Sequence, residues 1–175
     1  MNGVAQQGFN IVELMIALTI VSLLAATALP TFVQDYTLRA KVSEGVMLAA
    51  ALKMAIQETY QLSGPSDMSC RDVPTCSAIG ATRIAATKNV LSVTSDASGI
   101  IQIQYQPSVL PNNANILAIA PAYPAGSPFN LQTGPAGIWF VWECGTSSAV
   151  PGVPGAGVAA GTNVPDKFLP HGCKP

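Results

Sequence analysis

The 175-residue chain is poor in charge, in histidine and in aromatic residues. Charged residues make up 10% of it and the formal net charge is −1, whereas average soluble domains are about 25% charged. A near-neutral chain has no basic surplus to neutralise phosphate, so direct nucleic-acid binding is not expected. The single histidine, His171, leaves little room for histidine-based catalysis. With 49% apolar residues, the chain is also too hydrophobic for an intrinsically disordered protein.

Motifs of catalysis and nucleotide binding are missing from the sequence as well. It contains no Gly-x-Ser-x-Gly, no phosphate-binding loop, no dinucleotide fingerprint and no HExxH. Its carboxylates are scattered, and Asp67 and Asp72 flank a cysteine without nearby partners in sequence. We therefore predict that the protein is not an enzyme and that it holds no cofactor and no metal.

What the chain does have is a long apolar run near its N-terminus. Leu14–Leu29 is free of charge, and Phe9–Leu29 is interrupted only by Asn10 and Glu13. A helix needs about 20 apolar residues to span a bilayer, so we predict a transmembrane helix over 9–30. Two alternatives stay open. One is a buried core helix, although a small protein has no need for a helix that is apolar on every face. The other is a secretory signal peptide, although residues 1–8 contain no Lys or Arg.

The helical pattern continues past Pro30, which should kink the helix and not end it. Over 31–62 an apolar stripe recurs at helical spacing, and Ser63-Gly64-Pro65 then stops the helix. The stripe consists of Phe32, Tyr36, Val42, Val46, Ala49, Leu52, Ile56 and Tyr60, and the opposite face is predicted to carry Asp35, Lys41, Glu44 and Lys53.

Strand-like segments follow a connecting loop region over 63–88, in which we expect one short helix around Ser77–Ala86. The segments are Val90–Thr94, Gly99–Gln106, Ile116–Ala120 and Ile138–Cys144. In the second one, apolar residues alternate with glutamines, which is typical of a half-buried antiparallel strand. We predict an α+β fold in which the long N-terminal helix packs on a four-stranded antiparallel sheet over 89–144. A Gly- and Pro-rich region over 145–175 completes the chain.

Several motifs resemble those of the type IV pilin family, and of its type IVa major subunits in particular. Residues 8–13, Gly-Phe-Asn-Ile-Val-Glu, resemble the prepilin processing site, in which Phe follows the cut and Glu is the fifth residue after it. Ala28-Leu29-Pro30 and the segment 34–44 resemble the proline kink and the helix that follows it. The stretches 142–144 and 165–173 resemble the edges of the C-terminal disulfide loop. The chain departs from the pattern at Asn10, where Thr is usual, and in its leader, which lacks basic residues.

The resemblance implies a processing and assembly pathway. A prepilin peptidase/methyltransferase would remove the leader, residues 1–8, by cutting after Gly8, and would N-methylate Phe9. The subunit would wait in the inner membrane as a single-pass protein with its head in the periplasm. Pilus assembly machinery would then polymerise identical subunits into a helical extracellular filament. Such filaments serve twitching motility, adhesion and biofilm formation, and DNA uptake is a further role.

Glu13 is the charge within the apolar run. Inserting a carboxylate at that depth costs roughly 2.5–3.5 kcal/mol. One interpretation places it near the headgroups, where it favours the helix N-terminus through the dipole. The resemblance implies instead that Glu13 pairs with the Phe9 amine of a neighbouring subunit.

Four cysteines allow three disulfide pairings. Pairing nearest neighbours, Cys70 with Cys76 and Cys144 with Cys173, is the simplest, and the second bridge would match the C-terminal loop of the family. A zinc site that includes His171 is the rival interpretation, but the cysteine spacings do not match those of zinc sites. Disulfides would indicate an oxidising compartment.

Three other functions remain as alternatives at this point. A minor pilin or a type II secretion pseudopilin would share the N-terminal motif, although the C-terminal disulfide loop argues against a pseudopilin. A membrane-tethered periplasmic binding module or enzyme would need a polar pocket that the sequence does not indicate.

Overall fold

A computed structural model describes residues 10–123, 129–144 and 161–173, apart from the side chains of 28–32. Its helices are α1 (Ile11–Ser63) and α2 (Val73–Ala78), and its strands are β1 (Val90–Ser95), β2 (Ile101–Tyr105), β3 (Ile116–Ala122) and β4 (Val141–Cys144). Two short 3-10 turns follow, at Asp166–Phe168 and His171–Cys173. The chain divides into two compact units, Met1–Thr37 and Leu38–Pro175. We call the second unit the head.

The helix α1 runs through Pro30 and ends at Ser63. Gly64 then takes a left-handed conformation with φ of 74°, and its amide donates to the Tyr60 carbonyl at 2.9 Å. A glycine in this conformation is the usual way to satisfy carbonyls at a helix C-terminus. The predicted stop at Ser63-Gly64-Pro65 is therefore confirmed, whereas the kink at Pro30 stays a prediction.

The head contains one four-stranded antiparallel sheet in the order β1-β2-β3-β4. The turn between β1 and β2 is built around Asp96, whose Oδ1 accepts from the amides of Ser98 at 3.0 Å and Ile100 at 2.9 Å. Gly99 supplies the positive φ of 89° that this turn requires. The predicted α+β fold, with a long helix and a four-stranded sheet, is thus confirmed.

The core of the head lies between one side of α1 and one face of the sheet. Alternate residues of β2 are fully buried, as the alternation with glutamine predicted. The buried cluster includes Val42, Ala49, Leu52, Ile56, Tyr60, Ile101, Ile103, Tyr105, Leu117 and Ile119. Near the end of α1, the Tyr60 ring makes edge-on contacts with Phe129 and Phe140 at centroid distances of 5.7 and 5.6 Å.

The bounds of β1, β2 and β3 differ from the prediction by one or two residues, and two other elements differ by more. The short helix is Val73–Ala78, so the expectation of a helix around Ser77–Ala86 was wrong. The helix begins early because Asp72 and Thr75 form a reciprocal capping box, in which the Asp72 side chain accepts from the Thr75 amide at 3.0 Å. The last strand begins only at Val141, and the preceding Trp139 is 67% exposed.

Candidate assembly surface and disulfide loops

Asn10 caps the N-terminus of α1. Its Oδ1 accepts a hydrogen bond from the Val12 amide at 3.2 Å, and its carbonyl accepts one from the Leu14 amide at 3.2 Å. This capping role of Asn10 was not predicted. The signal was nevertheless present, because an asparagine three residues before a glutamate is typical of a helix start.

Glu13 lies in the first turn of α1 with its side chain exposed. Its pairing with a neighbouring subunit stays a prediction. Gly8 and Phe9, the predicted cleavage and N-methylation sites, lie outside the described residues.

The first part of α1, which belongs to the first unit, exposes apolar side chains around its whole circumference. Every large apolar side chain from Ile11 to Leu24 is at least 50% exposed. The hydroxyls of Thr19, Ser22 and Thr27 donate to carbonyls three or four residues earlier at 2.8–2.9 Å. These hydroxyl donors are therefore paired within the helix, whereas the Glu13 side chain is exposed. None of the helices, as far as the described residues define them, is long and apolar enough to cross a membrane.

The part of α1 within the head carries an apolar patch on its outward side, followed one turn later by the exposed Glu58. Met47 is 76% and Met54 is 68% exposed, and Ala50 and Ala51 between them are exposed too. We call these four residues the outward patch. It lies opposite the buried residues of the helix, and Met side chains adapt readily to a partner surface.

The prediction of a charged face opposite the core was wrong for Lys41, Glu44 and Lys53, which are half-buried along the flanks of the helix. The fourth predicted member, Asp35, is exposed and belongs to the first unit. Tyr36, assigned to the apolar core stripe, is 76% exposed, and the side chain of Phe32 lies outside the described set. The error arose because apolar residues occupy two sides of this helix, whereas a single apolar stripe was predicted.

The inward side of α1 lies unusually close to β2. The Tyr105 hydroxyl donates to the Val42 carbonyl at 2.7 Å. A Cβ added to Gly45 would lie 2.6 Å from the Tyr105 oxygen and 2.7 Å from Ile103 Cγ2. Burial raises the pKa of the Tyr105 hydroxyl, and the Glu44 carboxylate adds to this effect. The glycine is required here because only a residue without a side chain lets tyrosine reach the helix backbone.

Glu44 joins α1 to the segment before β1. Its two carboxylate oxygens accept hydrogen bonds from the Thr87 hydroxyl at 2.8 Å and from Asn89 Nδ2 at 2.5 Å. These bonds, with that from Asn89 the stronger influence, hold the pKa of the Glu44 carboxyl below its usual 4.5. Glu44 was predicted only to lie opposite the apolar stripe, and this connection was not predicted.

The first disulfide, Cys70–Cys76, lies beside β1. Cys70 pairs with Ser95 as an isolated antiparallel bridge, with N–H···O distances of 3.2 and 3.1 Å in the two directions. The Ser95 hydroxyl also donates to the Met68 carbonyl at 2.6 Å. Residues 68–70 therefore cover part of the outer edge of β1.

The second disulfide joins Cys144 to Cys173, the pairing that was predicted, and it lies at the other side of the sheet. Here β4 pairs with residues 119–122 of β3, while residues 162–164 bond to residues 116–118 of the same strand edge. Arg39 of α1 donates to the Lys167 carbonyl at 2.7 Å. With all four cysteines in disulfides, none is available as a thiolate ligand of zinc.

Comparisons with known proteins agree with this architecture. Residues 38–174 match the profile of the family described as Pilin (bacterial filament). The chain is 40% identical over 100 residues to the type IV major pilin protein PilE of Neisseria gonorrhoeae, which is 54% of this chain and 59% of that protein. It is 47% identical over 76 residues to a fimbrial protein of Neisseria meningitidis serogroup B, which is 42% of this chain and 44% of that protein.

A similar fold is found in a crystal structure of a type IV pilin from Pseudomonas aeruginosa, strain Pa110594. The TM-score is 0.50 at 24% sequence identity, and the match covers 79% of this chain and 98% of that one. The chain therefore belongs to the pilin family. Its matches span about half the length of the curated relatives, 59% and 44% in the two cases given. Family membership agrees with the prediction that the protein is structural and not an enzyme.

Proposed function

We propose that this protein is the structural subunit of a type IV pilus and polymerises through its N-terminal helix into a surface filament. The observation that carries the proposal is the exposure of α1. Apolar side chains cover the helix from Ile11 to Leu24 on all sides, and the outward patch continues the apolar character within the head. Exposed apolar surface of this extent indicates a surface made for contact with other molecules.

The N-terminal part of α1 suits burial among copies of itself. Its hydroxyls are satisfied within the helix, so packing against neighbours leaves none of them unpaired, and Glu13 is the charged group that still needs a partner. Contacts between different surfaces of identical subunits form an open helix whenever the rotation does not close into a ring. We propose on these grounds a filament whose core is formed by the apolar parts of the helices.

We infer that Glu13 orders this assembly. Cutting after Gly8 would create an α-amino group on Phe9, which the family modifies by N-methylation. Two opposite charges buried together offset part of each other's desolvation cost. A pair between Glu13 of one subunit and the amine of the next would also fix the axial step between them.

Before assembly, we propose that residues 9–30 anchor the subunit in the inner membrane. The support is the sequence, in which Leu14–Leu29 has no charged residue. Prepilin peptidase and the assembly machinery are the partners that this stage requires. The assembled fibre would lie outside the cell, an oxidising location that suits both disulfides. Twitching motility, adhesion, biofilm formation and DNA uptake are the uses we propose for it by analogy with the family.

The proposal is tested by shearing fibres from cells that produce the protein. The expected bulk subunit begins with N-methylated Phe followed by Asn-Ile-Val-Glu and lacks residues 1–8. If the protein is only a trace component of the fibre, it is a minor pilin and not the major subunit. An uncut protein that stays in the membrane fraction would contradict the proposal.

The role of Glu13 is tested by Glu13→Val. We expect normal amounts of membrane-held subunit but a loss of roughly tenfold or more in sheared fibre, because the interface would lose its charge pair. Glu58→Val is the matched control, since Glu58 is also an exposed glutamate of α1 but lies at the far end of the head segment. Equal fibre yields from the two variants would contradict the assigned role.

A further inference from the structure

β1 is an edge strand whose sequence favours association. Its residues, Val-Leu-Ser-Val-Thr-Ser, include no charge and no proline. Uncharged segments of this kind with high β-propensity readily pair with the same segment of another chain. Natural proteins block such edges with charges, bulges or a covering segment.

In this protein the outer edge of β1 is covered by residues 68–70 at its C-terminal end. The Met68 amide donates to the Ala97 carbonyl at 3.3 Å, and Cys70 exchanges two backbone bonds with Ser95. Met68 is fully buried, and Cys70 nearly so. A bulge between Val90 and Ser92 disturbs the other end of the strand. The covering segment therefore occupies the amide and carbonyl of Ser95, which a second strand would otherwise use.

The covering segment is held from its far side. Cys70 is bonded to Cys76 in α2, and α2 is fixed by its Asp72–Thr75 capping box. The Thr59 hydroxyl of α1 donates to the Ile79 carbonyl just after α2, at 3.0 Å. Without the disulfide, three backbone bonds, the Ser95 hydroxyl and the buried Met68 side chain would still hold residues 68–70 on the edge.

We propose that the Cys70–Cys76 disulfide is an edge guard, which keeps residues 68–70 on β1 and prevents two heads from pairing through this strand. The competing partner is a second copy of the chain. The role concerns the head alone and does not depend on the filament function. The Cys144–Cys173 disulfide has a different role, because it holds residues 162–164 on the edge of β3 at the opposite side of the sheet.

The test uses the full chain in detergent micelles and compares Cys70→Ser/Cys76→Ser with Cys144→Ser/Cys173→Ser. In the first variant we expect hydrogen exchange at the Ser95 amide to accelerate roughly tenfold to a hundredfold, as the loss of a short-loop disulfide implies. We also expect larger species in sedimentation. The second variant should leave exchange at Ser95 unchanged. Unchanged exchange at Ser95 in the first variant would overturn the proposal.

Association through β1 must be distinguished from association through unfolding. Leu91 is an exposed residue of β1, and Leu91→Lys adds the kind of charge that blocks edge pairing. In the Cys70→Ser/Cys76→Ser background it should restore the size distribution of the native chain. Undiminished association with the lysine present would show that another surface is responsible and would overturn the proposal.

A milder variant covers the case in which the cysteine double variant does not fold. Ser95→Ala removes the hydroxyl that donates to the Met68 carbonyl and leaves both disulfides intact. We expect exchange at the Met68 and Cys70 amides to accelerate by roughly fivefold, as loss of one buried hydrogen bond implies. Unchanged hydrogen exchange at both amides would contradict the proposal that this segment is held on the edge of β1.

Discussion

Two stretches of one helix, Ile11–Thr37 and Leu38–Ser63, use the same kinds of residue in opposite ways. Leu24 in the first stretch is 66% exposed, whereas Leu52 in the second is 1% exposed. The head covers one side of the second stretch with its sheet, and the described residues of the first unit provide no such cover for the first stretch. An apolar side chain of this helix therefore stabilises either the head or, in the proposed filament, the contacts between subunits.

The largest effect is expected from a matched pair of truncations, Leu52→Ala and Leu24→Ala. Leu52→Ala leaves a cavity in the core and should lower the free energy of unfolding of the head by about 3 kcal/mol. Leu24→Ala removes an exposed side chain and should change that free energy by less than about 0.5 kcal/mol. Denaturant unfolding in detergent, followed by Trp fluorescence, provides the measurement. Comparable losses of unfolding free energy in the two variants would contradict the difference between the two stretches of the helix.

The next effect comes from the close approach of α1 to β2. Gly45→Ala adds a Cβ within 3 Å of Tyr105 and Ile103, so that packing must shift even though alanine favours helix more than glycine does. We expect a net loss of roughly 2 kcal/mol in unfolding free energy. Gly172→Ala is the control, because a Cβ there meets no atom within 4 Å. A higher unfolding free energy for Gly45→Ala would contradict the close approach of α1 to β2.

A smaller effect is a pH dependence specific to the head. The pKa of the Glu44 carboxyl is lowered in the folded state by hydrogen bonds from Asn89 and Thr87. A lowered pKa stabilises the fold above the unfolded value, and this contribution is lost as pH falls through the folded value. The melting temperature of Glu44→Gln should therefore lie below that of the native chain at about pH 7 and approach it by about pH 3.

Glu143 is expected to affect stability with the opposite dependence on pH. Burial raises the pKa of its carboxyl, so its contribution is present below the unfolded pKa and lost as pH rises through the folded one. Glu143→Gln should consequently raise the melting temperature at about pH 7. Shifts of the same sign in the Glu44 and Glu143 variants would contradict this account.

Much of the fold could be predicted because local signals were strong. Alternation along Ile101–Tyr105, the glycine and proline after Ser63, and the apolar side of α1 at Leu52 and Ile56 each indicated one structure. The position of α2 was predicted wrongly. Its start depends on a capping box at Asp72, which was not recognised because the surrounding composition is typical of loops.

The assembly surface was predicted less completely than the fold. Sequence periodicity indicated one apolar stripe, and the charges were assigned to the side opposite it. In the structure the outward patch of Met47, Ala50, Ala51 and Met54 takes that side, and Glu44 turns to Thr87 and Asn89. Contacts between residues more than 40 positions apart leave no local signature, which is why the sequence could not indicate them.

The central claim is that apolar surface on the outward side of α1 serves contacts between subunits and not the stability of the head. The most direct measurement compares sheared fibre yield with head stability in Met47→Lys/Met54→Lys. The account predicts a melting temperature close to that of the native chain, with fibre yield reduced roughly tenfold or more, because two ammonium groups would have to be buried at the interface. A native fibre yield from a stably folded double variant would contradict it.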